Sequence, residues 1–316
     1  MDWRNSGHMK INKDKIRVGI HSEPNHADDV LCVALLQREY GKDNVSVLRT
    51  REIDKLKTCD YILDVGGKDE IVKNADGEIV QVWLDHHQKD SGYEENGVKK
   101  AACSKLVDFL YEDEQIRKDL HKILIDPVAV DDNGQDLQVG KNLLNFVGYV
   151  IEQDWTLPPS KVKSEQCFQT ALNMVFEILN KVLEQILNRD FGTNLILSAL
   201  DTKKDYIVLE QYVPRSIWNG MLIKYNKEHE KKIKAVVFPS THSNWDAIMV
   251  HKRLDSFECL QTFPENWCGL RDEELEQESG IKGAVFCHTA GFFWESTTKE
   301  SAILAVEKVL GMNNAN

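Results

Sequence analysis

Four short polar clusters carry residue types that hold metal ions, and they follow one another along the chain. They are His21 with His26-Ala27-Asp28-Asp29, then Asp64-Val65-Gly66-Gly67, Asp85-His86-His87 and Asp131-Asp132-Asn133-Gly134. Neutral imidazole together with carboxylate suits Mn2+, Zn2+ or Fe2+, whereas an all-oxygen shell would point to Mg2+ or Ca2+. Six such ligands are too many for one tetrahedral zinc. They fit a two-metal site, in which a shared carboxylate bridges the ions and an activated water attacks. Each cluster alone has a plainer reading: a charged helix start, a strand-to-turn junction, or the common Asn-Gly turn. Asp85-His86-His87 is the hardest to read as a plain turn, and the conjunction of all four carries the argument.

To converge, the clusters must lie at one edge of a sheet. Residues 16–20 read as a short apolar strand followed by the polar turn His21-Ser22-Glu23-Pro24-Asn25. A helix should begin near His26, with Asn25 as N-cap and Asp28 and Asp29 at the positive end of its dipole. Strands are expected at 45–48, at 61–63 running into Asp64, and at 79–84 running into Asp85. Helices are expected at 102–111, 114–124 and 140–153. Short apolar strands alternating with helices form parallel α/β sheets, whose C-terminal strand edge is where ligands bind. Pro158-Pro159 marks a loop, and the following stripe from Leu172 through Val175, Leu179 and Leu183 is packing at helical spacing. Strands at 206–209, 235–238, 247–250 and 284–287, with helices at 272–279 and 298–310, make a second α/β unit. The expected domains are 14–195 and 200–316.

Composition sets the outer limits. At roughly 150 residues per domain, 316 residues suggest two domains. A content of 42% hydrophobic and 28% charged residues is that of a soluble globular chain. No stretch approaches the roughly 20 apolar residues of a membrane helix, so no membrane partner is expected. The net charge of −12 counts against a nucleic-acid coat, although aspartates around divalent cations are compensated internally. Seven scattered cysteines without a Cys-x-x-Cys pair argue against a disulfide scaffold and a zinc ribbon. They place the chain in a reducing intracellular compartment, the cytoplasm foremost, with nucleus or mitochondrion as alternatives. Residues 1–9 lack a secretory signal, and Ser6-Gly7-His8-Met9 reads as a cloning scar, so His8 is left out of the site. Phosphate-loop, dinucleotide-binding and nucleophile-elbow motifs do not occur.

The four clusters resemble the motifs of the DHH phosphoesterase superfamily, named for the run seen here at 85–87. Over about 17–310 the chain more closely resembles the melanocyte proliferating gene family of metal-dependent hydrolases and exonucleases. The resemblance is strongest in Ile207-Val208-Leu209-Glu210-Gln211, Val237-Phe238-Pro239, Trp267-Cys268-Gly269-Leu270-Arg271-Asp272-Glu273-Glu274-Leu275 and Gly283-Ala284-Val285-Phe286-Cys287-His288-Thr289-Ala290-Gly291-Phe292. The family usually reads His-Cys-Asp-Glu where this chain has His26-Ala27-Asp28-Asp29, and Ser-Ser where it has Ala102-Cys103. It also carries an aspartate at the position of Ala129.

The resemblance implies a DHH-like α/β architecture: a parallel-sheet catalytic domain that binds metal, then a smaller substrate-binding α/β domain. One divalent ion would take His21, His26 and Asp64, and the other Asp28, Asp64, His86 and Asp132, with Asp64 bridging. Mn2+ is the metal expected, with Mg2+, Zn2+ or Fe2+ as alternatives. His87 would face the substrate, binding a phosphate oxygen or protonating the leaving group, and Asp85 would orient a neighbouring histidine. His288 and Gly291 would form a substrate-binding strip, the glycine allowing close backbone approach. The expected activity is phosphodiester hydrolysis, 3′-to-5′ on RNA or short oligonucleotides. Two alternatives stand beside it. One is hydrolysis of a small phosphorylated metabolite such as a short nucleotide or pyrophosphate. The other is a binding module of the same fold, catalytically weakened around His26. A homo-oligomer stays open.

Overall fold

In the computed structural model, which describes residues 9–139, 142–230, 232–240 and 242–311, the first apolar run becomes strand β1 (Ile16–Ile20). It is followed by α1 (Ala27–Tyr40), β2 (Val45–Arg49), α2 (Ile53–Leu56), β3 (Tyr61–Leu63), β4 (Glu70–Lys73) and β5 (Ile79–Leu84). The strands form one sheet in the order β2-β1-β3-β5-β4, parallel except for β4, which runs antiparallel to β5. Because β1, β3 and β5 run the same way, His21, Asp64 and Asp85 all leave the sheet at its C-terminal edge.

Helix α1 is buried on nearly every side, from Asp28 through Gln37. Burying Leu31, Leu35 and Leu36 contributes about 1.5–3 kcal/mol each. That offsets the penalty of taking Asp28 and Asp29 out of water on the same helix. The unit continues with α3 (Ala102–Leu110), α4 (Glu114–Leu120), α5 (Asp126–Asp132), α6 (Asn142–Ile151) and α7 (Lys161–Leu187). The stripe of Phe168, Leu172, Val175, Leu179 and Leu183 on α7 packs into the core that α1 shares. Leu56, Cys59, Ile62, Val65 and Trp83 make a smaller apolar cluster.

Three local expectations need correction. His26, not Asn25, is the residue preceding α1, with extended backbone and no side-chain cap bond. Asn25 instead donates to the carbonyls of Ile151 (2.9 Å) and Ser164 (3.1 Å). The helix expected at 114–124 passes through a π-turn, His121–Ile125, into α5, so Asp132 closes a helix and Asn133-Gly134 follows it. Strand β4 was not foreseen. Of the helix expected at 140–153, residues 140 and 141 lie outside the described residues, as do residues 6–8 of the supposed scar.

The chain divides into two units between Leu187 and Asn188, earlier than the break expected at 195–200. The second unit holds α8 (Arg189–Ala199), β6 (Tyr206–Val208), α9 (Arg215–Glu228), β7 (Ala235–Pro239), β8 (Trp245–Met249), α10 (Asp272–Ser279), β9 (Ala284–Cys287), β10 (Phe293–Ser296) and α11 (Lys299–Leu310). Its sheet has the order β6-β7-β8-β10-β9. Helix α9 and strand β10 were not expected. The fold is therefore mixed α/β with two five-stranded sheets. Among the described residues, no helix is long and apolar enough to cross a membrane.

Gly291 closes the turn between β9 and β10, its N–H donating to the His288 carbonyl at 2.8 Å. Its φ is +66°, and a Cβ would meet the Phe263 carbonyl at 3.1 Å and Cys268 Sγ at 3.2 Å. A close approach that requires glycine here is thus to the protein's own backbone.

Candidate metal centre

The first unit brings the four clusters together. Asp64 follows β3 in the left-handed region (φ 56°), which aspartate tolerates better than most side chains. Its N–H is held by the Leu84 carbonyl at 3.0 Å. Gly66 (φ 102°) is required beside it, because a Cβ there would lie 2.7 Å from the Trp83 ring. The Asp64 carboxylate is fully buried and splits its oxygens. Oδ2 lies 3.2 Å from His21 Nε2, and Oδ1 lies 2.9 Å from His86 Nε2. On the first side Asp29 Oδ2 also meets His21 Nε2 at 2.9 Å, and the His26 ring stands 4.9 Å from the His21 ring. On the second, Asp132 Oδ2 reaches His86 Nε2 at 2.9 Å and Asp28 Oδ2 lies 4.0 Å away. Within each group, His21-His26-Asp29-Asp64 and Asp28-Asp64-His86-Asp132, the donor atoms lie within 4.8 Å of one another.

Hydrogen bonds outside the centre fix the histidine tautomers. His21 Nδ1 lies 3.1 Å from the Ser22 carbonyl, which only accepts, so Nδ1 keeps a proton and Nε2 is the nitrogen turned inward, the one a cation would deprotonate. His86 Nδ1 faces Asn133 Oδ1 at 3.3 Å. The Asn133 amide donates to the Lys99 (3.2 Å) and Ala129 (2.9 Å) carbonyls, so its oxygen faces His86. Asp28 accepts the amides of Ala102 (2.8 Å) and Cys103 (2.7 Å) at the start of α3. These are backbone contacts, so Ala102-Cys103 meets the need whatever its side chains. Oδ1 also accepts from Cys32 Sγ at 3.7 Å, whereas Oδ2, the oxygen nearer His86, keeps a further lone pair.

Asp85 and His87 border this set: His87 Nδ1 lies 3.6 Å from Asp64 Oδ1, and Asp64, His86 and His87 form a third group of possible donors. Asp85 Oδ1 accepts from His87 Nδ1 at 2.6 Å and from the His86 amide at 2.7 Å, and Oδ2 accepts from the Gly67 amide. Burial would raise this carboxyl, yet the His87 ring and the Gly67 and His87 amides hold it below the usual range. Whereas His86 is 4% exposed, the His87 side chain is 56% exposed with Nε2 left for a ligand. The two rings, 4.4 Å apart, thus differ in exposure while both neighbour Asp64 Oδ1. Of the residues singled out from sequence, eight gather here. His288 and Gly291 lie in the second unit. Asp29 and Asn133 are the residues that sequence reasoning passed over as participants.

The MYG1_exonuc family model, described as "Uncharacterised protein family (UPF0160)", matches residues 17–310. The chain belongs to this family. It is a hydrolase of an exonuclease family. A MYG1 protein of Caenorhabditis elegans is 28% identical, covering 95% of this chain and 96% of that one. A MYG1 protein of Schizosaccharomyces pombe is 25% identical, with 93% and 97% covered. The MYG1 exonuclease of Homo sapiens is 24% identical, with 94% and 86% covered. A crystal structure of RecJ in complex with Mn2+ from Thermus thermophilus aligns at a TM-score of 0.26 and 10% identity. That alignment covers 94% of this chain and about half (52%) of RecJ.

The MYG1-family donor set fits divalent cations on an observation of its own. His21 Nε2, His86 Nε2, Asp29 Oδ1 and both Asp64 oxygens are buried without a hydrogen-bond partner. Several approach one another to 2.9–3.2 Å as charges, yet without hydrogen-bond alignment. Buried polar atoms left so would be costly in a finished core. Burial alone would lower His21 and His86, but the surrounding carboxylates push both up to about 10. Burial pushes Asp28 up to about 8, helped by Asp64 and Asp132. It would also raise Asp64, but the two histidines hold that carboxyl well below the usual range. Burial keeps His26 low, hence neutral.

The sign of the pH dependence follows. Without metal, His21 and His86 stabilise the fold fully below about 6.5, the unfolded value, and lose that contribution as pH climbs through about 10. Cations compete for the same nitrogens. Calorimetry of Mn2+ binding at pH 7 should therefore show net proton release, read from the dependence of apparent enthalpy on buffer, with affinity rising as pH rises. Buffer-independent heats would contradict this protonation scheme.

Proposed function

We propose that the chain is a metal-dependent phosphodiester hydrolase that removes nucleotides from the 3′ end of RNA or short oligonucleotides. The observation that carries the reading is Asp64, whose two oxygens each face a separate His/Asp group. His21, His26, Asp29 and Asp64 would hold one ion, and Asp28, Asp64, His86 and Asp132 the other, with Mn2+ favoured by the mixed nitrogen and oxygen donors. Bound there, a cation pair supplies a water of near-neutral acidity and offsets charge building on phosphate.

The chain's own groups do the rest. Asp85 accepts from His87 Nδ1 and so fixes the ring with Nε2 outward, where it binds a phosphate oxygen or passes a proton to the leaving oxygen. In the second unit, proposed to hold substrate, His288 Nδ1 accepts the Ala290 amide at 3.0 Å. Its proton therefore sits on Nε2, a donor suited to phosphate. Gly291 shapes the turn that presents it.

RNA labelled at either end, incubated with Mn2+ or with EDTA, tests the proposal. Mononucleotides should appear from the 3′ end only when Mn2+ is present. Turnover of pyrophosphate or dinucleotides with intact RNA would establish the small-metabolite reading instead. Metal binding without any hydrolysis would establish the binding module.

A further inference from the structure

The second sheet packs Tyr206, Val237, Ala247, Cys287 and Trp294 into one core shared with α11, and Ile207, Val236 and Phe238 into another shared with α9. Strand registers map what remains of the latter face. Arg271 bridges to Phe286, Phe286 lies opposite Glu295, and Glu295 lies opposite Asp246. One step along, the His288 amide meets the Phe293 carbonyl at 3.0 Å. Alternation along each strand puts these side chains on one face. The Phe286 and Phe293 rings stand 6.2 Å apart, Phe286 and His288 also 6.2 Å, and the Arg271 guanidinium lies 4.2 Å over Phe286. Both phenylalanines are half-buried, and neither joins a hydrophobic cluster among the described residues.

Of the acids, Glu295 accepts from Asn244 Nδ2 at 2.8 Å through one oxygen, while Asp246 is unsettled. Like charges directly opposite one another destabilise a sheet, yet Asp246 faces Glu295. Asp246 Oδ1 is buried with no partner, and burial together with Glu295 pushes this carboxyl up to about 6. A face built only for packing would not carry the acids, and one built only for water would not carry the rings. A ribonucleotide answers each feature: a base for the flat surfaces, hydroxyls for the acceptors, phosphate for the cationic rim.

We propose that this half-face is a stacking platform for unpaired nucleotides. Phe293 and the guanidinium lying on Phe286 take bases, Asp246 and Glu295 accept from ribose hydroxyls, and Arg271 and His288 meet phosphate. The inference rests on the exonuclease reading and adds to it how the strand is held.

The test uses the full chain in EDTA, with a fluorescent oligoadenylate RNA, its DNA counterpart and an abasic ribose-phosphate oligomer as probes. Phe293→Leu keeps apolar bulk but removes the ring, and should weaken RNA binding about ten-fold or more, while Phe293→Trp retains it. The abasic oligomer should bind weakly and alike to all three proteins. Asp246→Asn should reduce the preference for RNA over DNA, and an unchanged preference would remove the carboxylates from the platform. With Mn2+ restored, KM for RNA should rise in Phe293→Leu. If the wild-type chain degrades RNA but Phe293→Leu binds it equally well, the platform is wrong and the exonuclease reading stands. If the wild-type chain neither binds nor degrades RNA, both fall.

Discussion

Asp64→Asn is expected to remove turnover and strip the purified chain of metal while leaving it folded. Asparagine accepts the left-handed backbone that Asp64 occupies (φ 56°) and matches its shape, so the exchange isolates charge from strain. Alanine would confound the two. With the charge gone, neither His/Asp group keeps the oxygen anion it shares with the other, and both would lose cation affinity. Cations of this kind supply several kcal/mol to the transition state, so the fall in rate should be at least about 10³-fold. Circular dichroism and metal analysis on the same sample separate this from unfolding. Wild-type Mn2+-dependent turnover in Asp64→Asn would show that the shared-carboxylate assignment is wrong.

His86→Ala and His87→Ala should fail in different ways although the residues are neighbours. His86 is buried with Nε2 between Asp64 and Asp132, so its loss should lower metal affinity by about ten-fold or more, and excess Mn2+ should partly restore the rate. His87 is exposed and held by Asp85 through Nδ1. Its loss should leave metal in place and reduce kcat by about 10²–10⁴-fold, the usual effect of removing a general acid, with no rescue by Mn2+. Metal stoichiometry and single-turnover rate, measured on both variants across a Mn2+ titration, decide the matter. Equal metal loss in both would overturn this division of labour.

Much of the first unit was legible because apolar runs ended abruptly in polar motifs, as at Ile20 to His21, Leu63 to Asp64 and Leu84 to Asp85. What escaped did so for identifiable reasons. Glu70–Lys73 is a short, largely exposed edge strand whose partner lies on one side only, so its local pattern is weak. Asp29 follows Asp28 by one position, and consecutive helical residues point about 100° apart. Sequence alone does not say that one would turn to His21 and the other to His86. Asn133-Gly134 reads as a turn by composition, and the π-turn that carries α5 to Asp132 leaves no compositional trace. The Gly291 motif was visible as a string, but its reason was tertiary, a backbone carbonyl pressed against the missing side chain.

The grip of the Asp28 carboxylate on two amides of α3 has a practical consequence. Those N–H groups report on the centre from behind. Their exchange with solvent deuterium is gated by the same carboxylate that faces His86, and a cation drawing on that carboxylate changes how tightly it holds them. Protection at Ala102 and Cys103, followed by mass or magnetic resonance, is therefore a gauge of occupancy that needs no substrate, dye or turnover. It would read equally in the active enzyme and in a variant that has lost all activity.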